Sequence, residues 1–175
     1  MKKTQKIALC GVFSALSVVI MLTAYFPYAT YAIAALAGCS FAVITIEAGR
    51  KWALGSYIAS AIITLLICEK EAAMLFVGFF GYYCILKGLI EEHFRGAIEW
   101  LLKFLSFNIA VIISYLVIVF VFDIPMDESG KLGDWFLGVL LALGNIVFWL
   151  YDIGLSRVIG MYIYKWHPKI AKIFK

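Results

Sequence analysis

The polar residues that interrupt the long apolar runs of this sequence are few, which makes each informative. An ionisable or amide side chain inside a bilayer is costly to bury and usually serves binding or transport. Asn145 stands near the middle of one apolar run, and Ser106 and Asn108 lie toward one end of another. Asn145 reads either as an interhelical hydrogen bond, worth about 0.6–2 kcal/mol, or as a polar contact to a ligand. Lys87 and Glu91 are four apart, so they share a helix face and read as a pair anchored at the membrane interface.

Glu69-Lys70-Glu71 brings three charges to the start of a further run, where they meet the positive end of a helix dipole. The segment Phe-Val-Gly-Phe-Phe-Gly-Tyr-Tyr follows, in which Gly78 and Gly81 leave space beside Phe79, Tyr82 and Tyr83. It reads as an aromatic-rich membrane helix or as one wall of a ligand pocket. Tyr28, Tyr31 and Trp135 would complete an aromatic mouth or form an interfacial belt. The substrate-contact candidates are therefore Lys70, Glu71, Phe79, Tyr82, Asn145 and Tyr31. So aromatic a half suits a flat, partly apolar ring.

Catalytic patterns are missing from the sequence: HExxH, GxSxG, a P-loop and CxxC do not occur. His93 and His167 stand far from any acid and nucleophile set. Cys10, Cys39, Cys68 and Cys84 fall in or beside apolar runs and read as small membrane hydrophobes. The expectation is a chain without catalytic residues, metal site or cofactor.

These residues sit in a chain that is 65% hydrophobic and 15% charged, with a mean hydropathy of +0.98. Soluble domains are roughly 45–50% apolar and about 25% charged, so a soluble fold is excluded. A spanning helix takes about 20 apolar residues, and six such segments nearly exhaust the 175 residues. The predicted fold is an all-α bundle, one domain over 1–175, with spans near 7–26, 31–48, 52–68, 72–90, 104–122 and 135–153. The first span is long enough to be retained rather than cleaved as a signal peptide. Breaks fall at Phe26-Pro27-Tyr28, at Gly49-Arg50-Lys51, and in the longest loop, between Phe122 and Asp134.

Lysine and arginine set the orientation, because short basic loops stay in the cytoplasm. With both termini inside, 13 of the 15 basic residues are cytoplasmic, and only Lys70 and Lys131 lie outside. Five acids accompany the inner set and six the outer set. Omitting a span would scramble that alternation, which places Asp127 to Lys131 outside and Gly49 to Lys51 inside a multi-pass cell-membrane protein. The basic excess then faces anionic lipid headgroups rather than nucleic acid. The stretch from Val158 to Tyr164 is too short to span again, so residues 154–175 extend the last helix or lie on the inner surface with Trp166 as an anchor.

Small residues recur at helical spacing: Ala8, Gly11 and Ala15; Ala34, Gly38 and Ala42; Gly55 and Ala59; Gly138 and Ala142. Such faces let membrane helices approach closely, and on the second, third and sixth spans they are expected to pack inside the bundle. The opening Lys-Ile-Ala-Leu-Cys-Gly-Val-Phe-Ser-Ala-Leu-Ser-Val-Val-Ile-Met, in a chain of this length and helix count, resembles the substrate-binding S component of energy-coupling factor vitamin transporters. Gly11 and Ala15 keep that family's small-residue spacing, with Ala8 a turn earlier, in place of its alanine pair. The first outer loop is shorter than the lid of many members. The resemblance implies a subunit without its own ATPase, binding a vitamin-like small molecule in the outer half. It also implies docking through Ala8, Gly11 and Ala15 to a T component, which works with two cytoplasmic ATPases. The alternative is a non-transporting scaffold or assembly subunit packed against a partner membrane protein, and a third is an intramembrane enzyme with an unfamiliar site.

Overall fold

The computed structural model describes residues 2–25, 29–122 and 133–173. Pro27, Tyr28, the acids Asp123, Asp127 and Glu128, and Lys131 lie outside the described residues, as do the side chains of Asp134, Trp135, Lys172 and Lys175. The chain is all-α: α1 (Lys3–Leu22) ends in a 3-10 turn (Thr23–Tyr25), followed by α2 (Thr30–Glu47), α3 (Arg50–Ile67), α4 (Lys70–His93), α5 (Ala97–Phe122), α6 (Gly133–Lys165) and a short α7 (His167–Ile173). Among the described residues, five of the six long helices are long and apolar enough to cross a membrane. The sixth, α3, is as long as α2 but begins with Arg50 and Lys51.

The breaks have local causes. Gly49 takes a φ of 99°, which other residues rarely adopt, and there the chain reverses between α2 and α3. Glu69 caps α4, its carboxylate accepting from the backbone N–H of Glu71 (2.9 Å) and Ala72 (2.8 Å). Gly96, at φ 71°, performs the turn before α5. That helix starts seven residues before the expected 104, because Ala97 to Lys103 are good helix formers. The last helix runs on through Val158 to Tyr164, so the tail extends it. At about 1.5 Å per residue its 33 residues measure about 50 Å, well beyond a hydrocarbon core of about 30 Å.

Two ends of the bundle are defined by contacts. At the basic end the Lys6 ammonium donates to Ala48 O (3.1 Å), Arg50 pairs with Glu92, and Glu47 accepts from Tyr162 (2.9 Å) and pairs with His167 Nδ1 (2.7 Å). At the acidic end Tyr25 donates to Ile67 O (2.9 Å). The core sits along α2 and α4, where half of the most apolar 18-residue stretch is buried, against 11% over 97–114 and 17% of the corresponding stretch within 141–170. The α5–α6 pair is thus a peripheral hairpin.

Packing follows the small residues on α2: Ala34, Gly38 and Ala42 are buried, and a Cβ at Gly38 would collide with the carbonyl of Phe80. On α3 and α6 the expectation fails, since Gly55, Ala59, Gly138 and Ala142 are exposed. In their place α3 buries Ser56, Ser60 and Thr64, four apart, which are small enough for close approach. On α6 it is Gly144 that meets a neighbour, the ring of Phe107.

Candidate functional site

Three helices converge on a polar cluster toward the basic end. Tyr83, Lys87 and Glu91 recur at intervals of four and so share one face of α4. Glu99 and Lys103 do the same on α5, and α6 contributes Asp152. Asp152 accepts from the Tyr83 hydroxyl (2.7 Å), the Lys87 ammonium (2.5 Å) and the Lys103 ammonium (3.2 Å). Glu91 lies 2.7 Å from both lysines, and Glu99 lies 2.8 Å from Lys103. Lys103 also stands 5.2 Å from the centre of the Trp100 ring, within cation–π range.

The burial is what makes this cluster unusual. Lys87 and Lys103 are each 1% exposed and Asp152 2%. Charges removed from water cost several kcal/mol each unless paired and hydrogen-bonded. Here every buried charge has at least two partners. With all groups ionised, three carboxylates face two ammonium groups, which leaves one negative charge shared by the cluster. Lys87 and Glu91 pair as their spacing predicts, and the lysine in addition turns inward to the buried Asp152.

Next to the cluster lies a layer of rings. Phe79 is buried, with its centroid 4.7 Å from Tyr83, 5.3 Å from Phe107 and 5.6 Å from Phe148. Phe107 and Phe148 stack at 4.7 Å and 10°. Beyond them Asn108 and Asn145 exchange reciprocal amide bonds of 3.0 and 3.1 Å. Each also donates to its own helix, at Phe104 O and Leu141 O. Asn145 further borders a lateral recess of about 380 Å³ between α5 and α6, lined with Trp100, Phe104, Ile146 and Trp149.

The six residues expected to contact substrate do not form one group. Tyr31 and Glu71 meet at the acidic end, the hydroxyl donating across a long 3.5 Å, and Lys70 is exposed beside them in the first turn of α4. Phe79 and Tyr82 are neighbours in the ring layer, 6.2 Å apart, with Tyr82 also 6.0 Å from Tyr57. Asn145 belongs to the α5–α6 seam. Ala8, Gly11 and Ala15 are all exposed on α1, and a Cβ at Gly11 would meet nothing within 4 Å.

Glu99, Lys103 and Asp152 are the cluster residues that sequence reasoning passed over. Their signal was the four-residue spacing of Tyr83, Lys87 and Glu91 and of Glu99 and Lys103, together with an isolated aspartate in an apolar helix. No protein-family model, curated protein or solved structure matches this chain.

Proposed function

We propose that this multi-span membrane protein is the substrate-capturing subunit of an energy-coupling factor type transporter in the cell membrane. It takes up a vitamin-like small molecule from outside and relies on a T component and two cytoplasmic ATPases for energy. The observation that carries the reading is the α1 face. Ala8, Gly11 and Ala15 stay uncovered by the fold, flanked by exposed Ile7, Val12 and Leu16. A smooth apolar stripe on a spanning helix gains most from a second helix lying against it, since lipid cannot match its close packing. The basic residues clustered at the Lys6 and Arg50 end support a cytoplasmic setting for both termini and for the ATPase side.

The experiment is mass spectrometry of the denatured, purified protein for a co-purified small molecule. A bound compound supports capture. The scaffold reading gains from one observation: where a ligand pocket was expected, the rings of Phe79, Phe107 and Phe148 pack directly on one another. A preparation free of small molecules from the native host, grown without added vitamins, would favour that second reading.

A further inference from the structure

The middle of α4 holds a spare residue. Over Phe76–Phe80 the helix widens to a π turn, and the N–H of Gly81 reaches back five residues to Phe76 O. Such a turn adds one residue without advancing the helix face, and it is frequent at functional sites. Its carbonyl at Val77 is held by another helix, through the Tyr57 hydroxyl at 2.7 Å. Gly81 gives the turn its clearance, since a Cβ there would lie 2.5 Å from the Tyr57 ring and 2.9 Å from Phe76 O.

The sequence around the turn is doubled: Phe79-Phe80, then Gly81, then Tyr82-Tyr83. If the π turn relaxes to α, each later residue takes the azimuth of its successor, a rotation of about 100°. Tyr82 then occupies the place of Tyr83, with the same hydroxyl to offer Asp152. Lys87 has no such double, because Leu86 would enter its place. Asp152 would keep Lys103 and a tyrosine but lose Lys87.

We infer that α4 is a two-register element: its π turn exchanges with an α turn, swapping Tyr83 for Tyr82 on Asp152 and releasing Lys87 from the buried cluster. By the same shift Ile90 would take the place of Glu91. The two registers therefore share one tyrosine–aspartate bond and differ in the Lys87–Asp152 and Lys103–Glu91 pairs. They differ also in the Tyr57 bond to Val77, because the Tyr57 ring must move aside where Phe80 enters the place of Gly81. Such a two-state element is the physical basis on which separate sites are coupled. It stands independently of the transporter reading.

The test uses the full chain in lipid nanodiscs with its four cysteines changed to alanine. Gly88→Cys, where a Cβ meets nothing within 4 Å, is labelled with a trifluoromethyl thiol reagent and read by fluorine NMR. Leu36→Cys, exposed on α2, serves as the static control. Two exchanging environments are expected at position 88 and one at position 36. Tyr57→Phe removes one hydrogen bond from the π register and should change the ratio at 88 by about 2- to 12-fold. Lys87→Met should move it in the same direction, and deletion of Gly78, which removes the spare residue, should leave one environment. If that deletion does not fold, the two substitutions decide. One environment at 88 without relaxation dispersion in all of these chains overturns the inference, as do two environments whose ratio neither substitution moves.

Discussion

Replacing Asp152 by asparagine tests whether the buried cluster is a cooperative unit. The substitution keeps an acceptor for the Tyr83 hydroxyl and removes a carboxylate that two dry ammonium groups share, at 2.5 and 3.2 Å. Lys87 then retains only Glu91, and Lys103 retains Glu91 and Glu99. Removing one member of a buried pair costs about 3–5 kcal/mol, since the other charge stays dry and under-compensated. The remaining carboxylates place this case near about 3 kcal/mol, roughly 150-fold in the folding equilibrium. Lys87→Met should cost a similar amount, because it leaves Asp152 with Tyr83 and the more distant Lys103 ammonium. The double substitution returns the cluster to its original net charge of one negative and removes both members of the Lys87–Asp152 pair, so it should cost less than the sum of the two by about 1–3 kcal/mol. The assay is reversible unfolding in mixed micelles, with the wild type, two single substitutions and the double compared as one thermodynamic cycle. Additive losses would refute the coupling. So would a loss below about 0.5 kcal/mol for Asp152→Asn, which is the scale of surface substitutions.

Other substitutions separate packing from function. Gly38→Leu should destabilise the bundle by at least about 1–3 kcal/mol, because the new Cβ meets the backbone carbonyl of Phe80, which has no easy route aside; thermal unfolding reads this. Asn145→Leu takes the donor from Asn108 Oδ1, while Asn108 Nδ2 keeps Phe104 O, and should cost about 1–3 kcal/mol, with most of that recovered in Asn108→Leu/Asn145→Leu. If Asn145 also contacts the captured molecule, both chains lose affinity in a binding titration, whereas unchanged affinity leaves it a packing residue. Gly11→Leu with Ala15→Leu should leave the melting temperature of the isolated chain within a few degrees, since both positions are exposed.

The broad architecture was legible because burial in a bilayer imposes length and composition on every helix. The five helices long and apolar enough to span, together with α3, fall close to the expected segments. Helix ends were less legible where polar residues continue a helix. Trp100 and Lys103 lie inside α5, and the helix of Asp152 runs on past Arg157. The polar cluster was missed because pairing across helices leaves little trace in sequence. Lys87 with Glu91 gives the same four-residue spacing whether it faces headgroups or a buried aspartate 65 residues away. The small-residue spacing likewise marked faces without telling which are covered. Gly38 meets Phe80, while Gly55 and Gly138 meet nothing within 4 Å.

What lies against α1 in the cell decides most directly whether this chain is a docked capture subunit. Tagged wild-type protein and the Gly11→Leu/Ala15→Leu chain would be purified in mild detergent from the native host, and the associated proteins identified and quantified. A membrane protein together with two ATPase subunits, at near-stoichiometric amounts with the wild type and absent from the double substitution, is the expected result. Wild-type protein that brings down no ATPase, or a double substitution that retains the full complex, would contradict the assignment of this chain as a docked capture subunit.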